Sequence, residues 1–190
     1  TNAYRLVFGE GDGLPGITID LYAGYAVLAT YAVSVETLVP WVIDALRVIV
    51  PDLKGIVRRT RAGDDEAKDK VVVAWGAAPP ADLVVEEHGL RLVANLFTGQ
   101  KTGLFLDHRE NRHFLEGWSA GRRVLNCFAY TGAFSLYAAR GGASATVSVD
   151  IAPAACEDAA RNFALNGLDG PNQRFIARDC FEFLSEAAAR

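Results

Sequence analysis

The sequence predicts an α/β fold: a parallel sheet covered by helices, preceded by a smaller α+β unit. From Val124 onward, short β-branched apolar runs alternate with helix-patterned runs, which implies parallel strands joined by crossover helices. The turn after the first of these strands carries a single glycine, Gly132, and the ends of the next two strands carry acids, Asp150 and Asp179. The first 81 residues instead mix short strands, one helix and a glycine-dense loop without regular alternation.

In chain order, residues 6–9 and 17–22 are strand-patterned and flank EGDGLPG at 10–16, a loop dense in turn residues. Residues 25–33 form a further β-branched run and read as a strand. Ser34 is placed to cap a helix whose positions Leu38, Trp41, Val42, Ala45, Leu46 and Ile49 fit one apolar face. Pro40 suits that helix only in its first turn. Residues 55–59 are strand-like, and RAGDDEAKDK at 61–70 reads as a solvated loop. AAPPA at 77–81 is a linker, so residues 1–81 form the α+β subdomain. Runs 83–87 and 90–96 around His88-Gly89 form a β-hairpin, a connection spanning 82–98.

The parallel-sheet part occupies 99–190. Asp107 and Glu110 have a capping-box-like spacing and open a helix carrying Phe114, Leu115 and Trp118. Residues 124–128 are a strand, and 132–139 a helix closed by Gly141-Gly142. Residues 145–149 are a strand ending in Asp150. Residues 153–165 are a helix with Pro153 in its first turn and Gly167 just past its end. Residues 174–177 are a strand followed by Asp179, and 181–189 a helix.

The composition, 51% hydrophobic and 22% charged over 190 residues, suits a globular chain with a real core. A net charge of −4 gives no general attraction to nucleic acid, so RNA binding needs a local basic patch or another domain. Arg58, Arg59 and Arg61 form one such cluster, as a solvated patch or as a phosphate contact. Three cysteines without a CxxC pair, and the lack of any signal-like or bilayer-length apolar run, imply free thiols, cytoplasmic localisation and no membrane partner. The chain has no Met and stops at Arg190 in a helix-patterned stretch, so a piece of a longer protein is expected.

Ligands of parallel α/β sheets bind outside the carboxyl ends of the strands. Asp150 follows Gly132 at close to the ~20 residues that separate a glycine turn from a ribose-binding carboxylate. That spacing points to an adenosine-type ligand. NAD and FAD sites use G-x-G-x-x-G so that backbone can approach a pyrophosphate. AYTGAFS has one glycine flanked by bulky Tyr130 and Phe134, which disfavours a diphosphate. S-adenosyl-L-methionine has the adenosine without the phosphates and suits this turn better. The blander alternative is that Gly132 only turns the chain and both acids only cap helices.

With VLNCFAYTGAFS at 124–135, SVD at 148–150 and NGL at 166–168, the chain resembles class I S-adenosylmethionine-dependent methyltransferases. GQKTGLFLDHRENR at 99–112 and RLVFGEGDGLPGITIDLY at 5–22 sharpen the resemblance to the bacterial large-subunit rRNA methyltransferase I type, a cytosine-5 group whose relatives include a guanine-modifying type. The resemblance implies a partial Rossmann-like methyltransferase domain, with RNA, namely large-subunit rRNA, as substrate. It implies that Asn126, Phe128, Ala129, Tyr130, Thr131 and Gly132 line the methionine side, that Asp150 holds the ribose, and that Asp179 and Cys180 lie near the adenine. Gln100, Lys101, Thr102, Asp107 and Arg109 would form the preceding wall, where Arg109 can grip a carboxylate with its donor fork.

The family's RNA-binding PUA domain and its Asp-Pro-Pro motif are not in this sequence. Cytosine C5 becomes nucleophilic only after a thiolate adds to C6. None of the cysteines here is assigned that role: Cys127 and Cys156 read as packing residues, and Cys180 is the least implausible reactive thiol. The nucleophile is expected beyond Arg190, so the chain alone is expected to be inactive. The first strand of the sheet would leave an open apolar edge for further strands or a partner such as a second copy of this chain. His88 is expected to be exposed, and His108 and His113, five apart, do not share a helix face. Trp41 and Trp118 are expected in the core. Rival functions are an NAD-dependent oxidoreductase and a non-catalytic RNA-binding module.

Overall fold

The computed structural model describes residues 1–60, 70–98 and 104–188. Of the sequence expectations, the 61–70 loop up to residue 69, Arg61, and Gln100, Lys101 and Thr102 lie outside the described residues. The chain divides into two compact units, Thr1–Glu87 with Ala94–Leu106, and His88–Val93 with Asp107–Arg190.

The first unit is a five-stranded sheet in the order β1 (Ala3–Phe8), β2 (Ile17–Tyr22), β3 (Tyr25–Thr30), β4 (Gly55–Thr60), β5 (Lys70–Gly76). All pairs are antiparallel except β3 with β4, which are parallel because helix α1 (Val39–Ile49) crosses between them. Alternation on β2 turns Ile17, Ile19 and Leu21 inward, where they join Leu28, Ile56, Val39 and Leu46 in one apolar cluster.

The strand predicted to reach Val33 stops at Thr30, and Val33–Leu38 winds into a 3-10 turn. Ser34 therefore sits inside that turn and caps nothing, while Pro40 does fall in the first turn of α1. Trp41 is 77% exposed: the inward face of α1 is Val39, Val42, Ile43 and Leu46, and Trp41 lies off it. Arg58 and Arg59 are not a shared basic patch. Neighbouring strand residues point to opposite faces; Arg58 pairs with Glu36, whereas Arg59 is buried and donates to the carbonyls of Leu96 and Phe97. β5 was not anticipated.

β6 (Leu83–Glu87) and β7 (Leu90–Ala94) form the expected two-stranded ribbon. The second unit holds a parallel sheet in the order β10 (Gln173–Ala177), β9 (Ala145–Asp150), β8 (Arg123–Cys127). Helix α3 (Ala133–Arg140) packs on β8 and β9, α4 (Pro153–Leu165) on β9 and β10, and α2 (Arg109–Glu116) on α3. Helix α5 (Cys180–Ala188) follows β10. Pro153 starts α4 and Gly167 follows its end, as the sequence indicates.

Asp107 does not cap α2. It lies in a 3-10 turn, Leu106–His108, and His108 occupies the cap position without a side-chain bond. Trp118 is 59% exposed beside Phe114, because α2 turns Arg112, Leu115 and Glu116 inward. His88 stacks on His113, with ring centroids 4.4 Å apart. Glu116 binds Arg140 through two bonds of 2.6 Å, which hold its carboxyl below the ordinary range, with a smaller contribution from His113.

Candidate functional site

Because β8, β9 and β10 are parallel, their carboxyl ends open on one edge of the sheet. The chain leaves β8 through loop 128–132, in which Phe128, Tyr130 and Gly132 all have left-handed backbone, with φ of +56°, +49° and +72°. Bulky residues adopt this conformation only when their surroundings impose it, and such strain clusters at functional sites.

The loop is held amide by amide. Phe128 N–H donates to Cys180 Sγ at 3.1 Å, and that thiol donates to the Val149 carbonyl at 3.4 Å. Ala129 N–H also donates to Val149 O, at 2.9 Å. Tyr130 N–H donates to Asp150 Oδ2 at 2.8 Å, while Asp150 Oδ1 accepts the Ala152 N–H at 3.0 Å. Below the loop, Asn126 Nδ2 donates to Ser135 Oγ at 3.0 Å and Ser148 Oγ to the same oxygen at 2.7 Å.

Gly132 has a packing reason beyond its dihedral angle. A Cβ there would meet Ala159 Cβ of α4 at 2.7 Å. The glycine thus lets α3 start against α4, and no phosphate contact is needed to explain it.

Asp150 therefore orients two strand-end loops. Each of its oxygens accepts one backbone bond, and a carboxylate has about four lone-pair directions, so acceptor capacity remains for a pair of vicinal hydroxyls. Beside it, Ile151 and Phe181 are 71% and 69% exposed, and Phe128 meets Phe181 edge-on at 5.6 Å. These apolar surfaces next to a half-buried acid suit a planar base attached to a sugar.

Asp179 caps α5, accepting from Phe181 N–H at 2.8 Å and Glu182 N–H at 3.0 Å through Oδ1. Cys180 is 2% exposed and supports the loop from beneath. Ala129, Thr131 and Gly132 are buried and contribute backbone. Asp107 is exposed, and Arg109 donates from Nε to Glu110 at 2.9 Å. Their segment reaches α3 through His108 and Arg112, both against Phe134.

Burial pushes the Cys127 thiol up, helped by Cys180, and burial also raises Cys156, so neither is a ready thiolate. Among the described residues no group of three or more metal-ligating side chains is found. No helix among them is long and apolar enough to cross a membrane. The sequence reading missed Ser135, Ser148, Ala159 and Asn162. Asn162 in α4 and Asn166 at its C-cap, four apart around the apolar Phe163, Ala164 and Leu165, were the signal available.

A family model for S-adenosylmethionine-dependent methyltransferases matches residues 56–187. A ribosomal RNA large subunit methyltransferase I from Aeromonas salmonicida is 39% identical over 185 residues, covering 96% of this chain and 47% of the relative. A ribosomal RNA large subunit methyltransferase from Deinococcus radiodurans is 42% identical over 188 residues, covering 97% of this chain and 46% of the relative. The crystal structure of SMU.776, a candidate methyltransferase complexed with SAH, superposes with a TM-score of 0.91 at 33% identity, covering all of this chain (100%) and 48% of the solved one. The chain thus spans about half the length of the curated relatives it matches. With its Rossmann-like sheet and a match over most of its residues, the chain belongs to the S-adenosylmethionine-dependent methyltransferase family.

Proposed function

We propose that this chain is the cofactor-holding part of a cytoplasmic rRNA methyltransferase acting on the large ribosomal subunit. The carrying observation is the pairing of Asp150 with the left-handed loop 128–132 at adjacent strand ends. Asp150 holds the ribose hydroxyls. Ile151 and Phe181 flank the adenine, with Asp179 and Cys180 behind it. Asn126 and residues 128–132 wall the methionine side, and the motif resemblance assigns Gln100, Lys101, Thr102, Asp107 and Arg109 to the same cofactor. When bound, the cofactor's sulfonium supplies an electrophilic methyl group.

The names of the relatives support rRNA as substrate. The motif resemblance favours cytosine C5 over guanine. Under that assignment Cys127, Cys156 and Cys180 do not add to the base, because they are partly or fully buried and two of them are raised. The test is calorimetric titration with S-adenosylhomocysteine and, separately, with NADH. Binding of the first alone is expected, and binding of NADH alone would overturn the proposal.

A further inference from the structure

We propose that the Asn162 side chain is the positioning group for loop 128–132, fixing the methionine-side wall while its other end holds β7. The inference rests on the reading of that loop as part of the cofactor site. Asn162 is fully buried on α4. Its Nδ2 donates to the Thr131 carbonyl at 2.9 Å, and its Oδ1 accepts the Val93 N–H at 2.8 Å.

Thr131 lies between Tyr130 and Gly132, both left-handed. The peptide planes between such residues set where the loop's polar groups aim, and the bond from Asn162 holds one of them. One turn on, at the C-cap of α4, Asn166 performs only half of this task. Its Oδ1 accepts Arg91 N–H at 2.8 Å and its Nδ2 donates to Arg91 O at 2.7 Å, with a second bond to Asn162 O. Two side-chain amides four residues apart thus satisfy alternate residues of β7, and Asn162 also grips the loop. Asn166 is therefore a built-in control for a purely structural role. The two groups bonded to the Asn162 side chain, the Val93 N–H and the Thr131 carbonyl, are uncharged.

The experiment measures S-adenosylhomocysteine binding by calorimetry on the full chain, well below the melting temperature of each variant. Asn162→Ala is expected to weaken binding about tenfold, the equivalent of one net hydrogen bond. Asn166→Ala is expected to lower the melting temperature but leave Kd within about twofold.

Asn162→Asp gives a second readout and replaces the alanine variant if that fails to fold. A protonated carboxyl offers one donor and one acceptor, as the amide does, whereas an ionised one offers acceptors only. Relative to wild type at each pH, Asn162→Asp should bind nearly normally near pH 5 and about tenfold more weakly near pH 8. The inference is overturned if Asn162 variants bind like wild type, or if Asn166→Ala weakens binding equally. If wild type itself fails to bind S-adenosylhomocysteine, the cofactor assignment falls and takes this inference with it.

Discussion

Replacing Gly132 by alanine isolates the packing that lets α3 begin beneath the loop. Two penalties add. The position has φ +72°, and a left-handed L-residue costs roughly 1–2 kcal/mol. The new Cβ would also stand 2.7 Å from Ala159 Cβ and 3.4 Å from its Cα, and overpacking of this kind costs about 1–3 kcal/mol. Reduced freedom of the unfolded chain offsets about 0.4–1 kcal/mol. The net loss is about 1–5 kcal/mol, a sizeable share of a typical stability of about 5–15 kcal/mol. At ~2–4 °C per kcal/mol, the melting temperature should fall by roughly 2–18 °C. Gly121→Ala provides the reference, because it has φ +70° and nothing within 4 Å of the added Cβ. Thermal and urea unfolding of both variants, and of Gly132→Ala combined with Ala159→Gly, separate the terms. The double variant should recover part of the loss, since the clashing methyl is gone. If Gly132→Ala is no less stable than Gly121→Ala, the close approach of α3 and α4 is not what this glycine serves.

Asp150→Asn turns one carboxylate oxygen into a donor facing the Tyr130 or Ala152 N–H; a loss of about 1–3 kcal/mol is expected, together with at least tenfold weaker S-adenosylhomocysteine binding by calorimetry. Glu116 is held below the ordinary carboxylate range by Arg140, so its contribution is complete above about pH 4.3 and is lost as pH falls through the lowered folded value. The stability gap between wild type and Glu116→Gln, measured by urea unfolding, should therefore be widest near neutral pH and close in acid; a gap independent of pH would contradict the pairing. Iodoacetamide at neutral pH should modify all three cysteines of the folded chain more slowly than free cysteine, as mass spectrometry would show, because Cys156 and Cys180 are buried and the Cys127 thiol is raised. Fast modification of Cys180 would revive it as a reactive thiol.

The parallel-sheet half was the more legible part of the sequence. Its punctuation is strong: Pro153 and Gly167 bracket α4, and the glycine turn and Asp150 mark successive strand ends. The first unit was harder for a physical reason. Helix α1 is apolar nearly all round, so its period cannot reveal that Trp41 faces out while Leu46 faces in. Arg58 and Arg59 look like a patch in one dimension, but the two-residue period of a strand separates them. Asp107 matches a cap by spacing, but a 3-10 turn over Leu106–His108 moves the cap position one residue on, to His108. In the site, the acid and the glycine were readable because backbone geometry demands them. The supports, Ser135, Ser148 and Asn162, were not, because their bonds join residues as far as 69 positions apart.

The most direct measurement is a crystal structure of this chain grown with S-adenosylhomocysteine. The ribose hydroxyls should lie within hydrogen-bonding distance of the Asp150 carboxylate, the adenine between Ile151 and Phe181, and the amino-acid end along residues 128–132. Well-ordered ligand with its sugar remote from Asp150 would contradict the account.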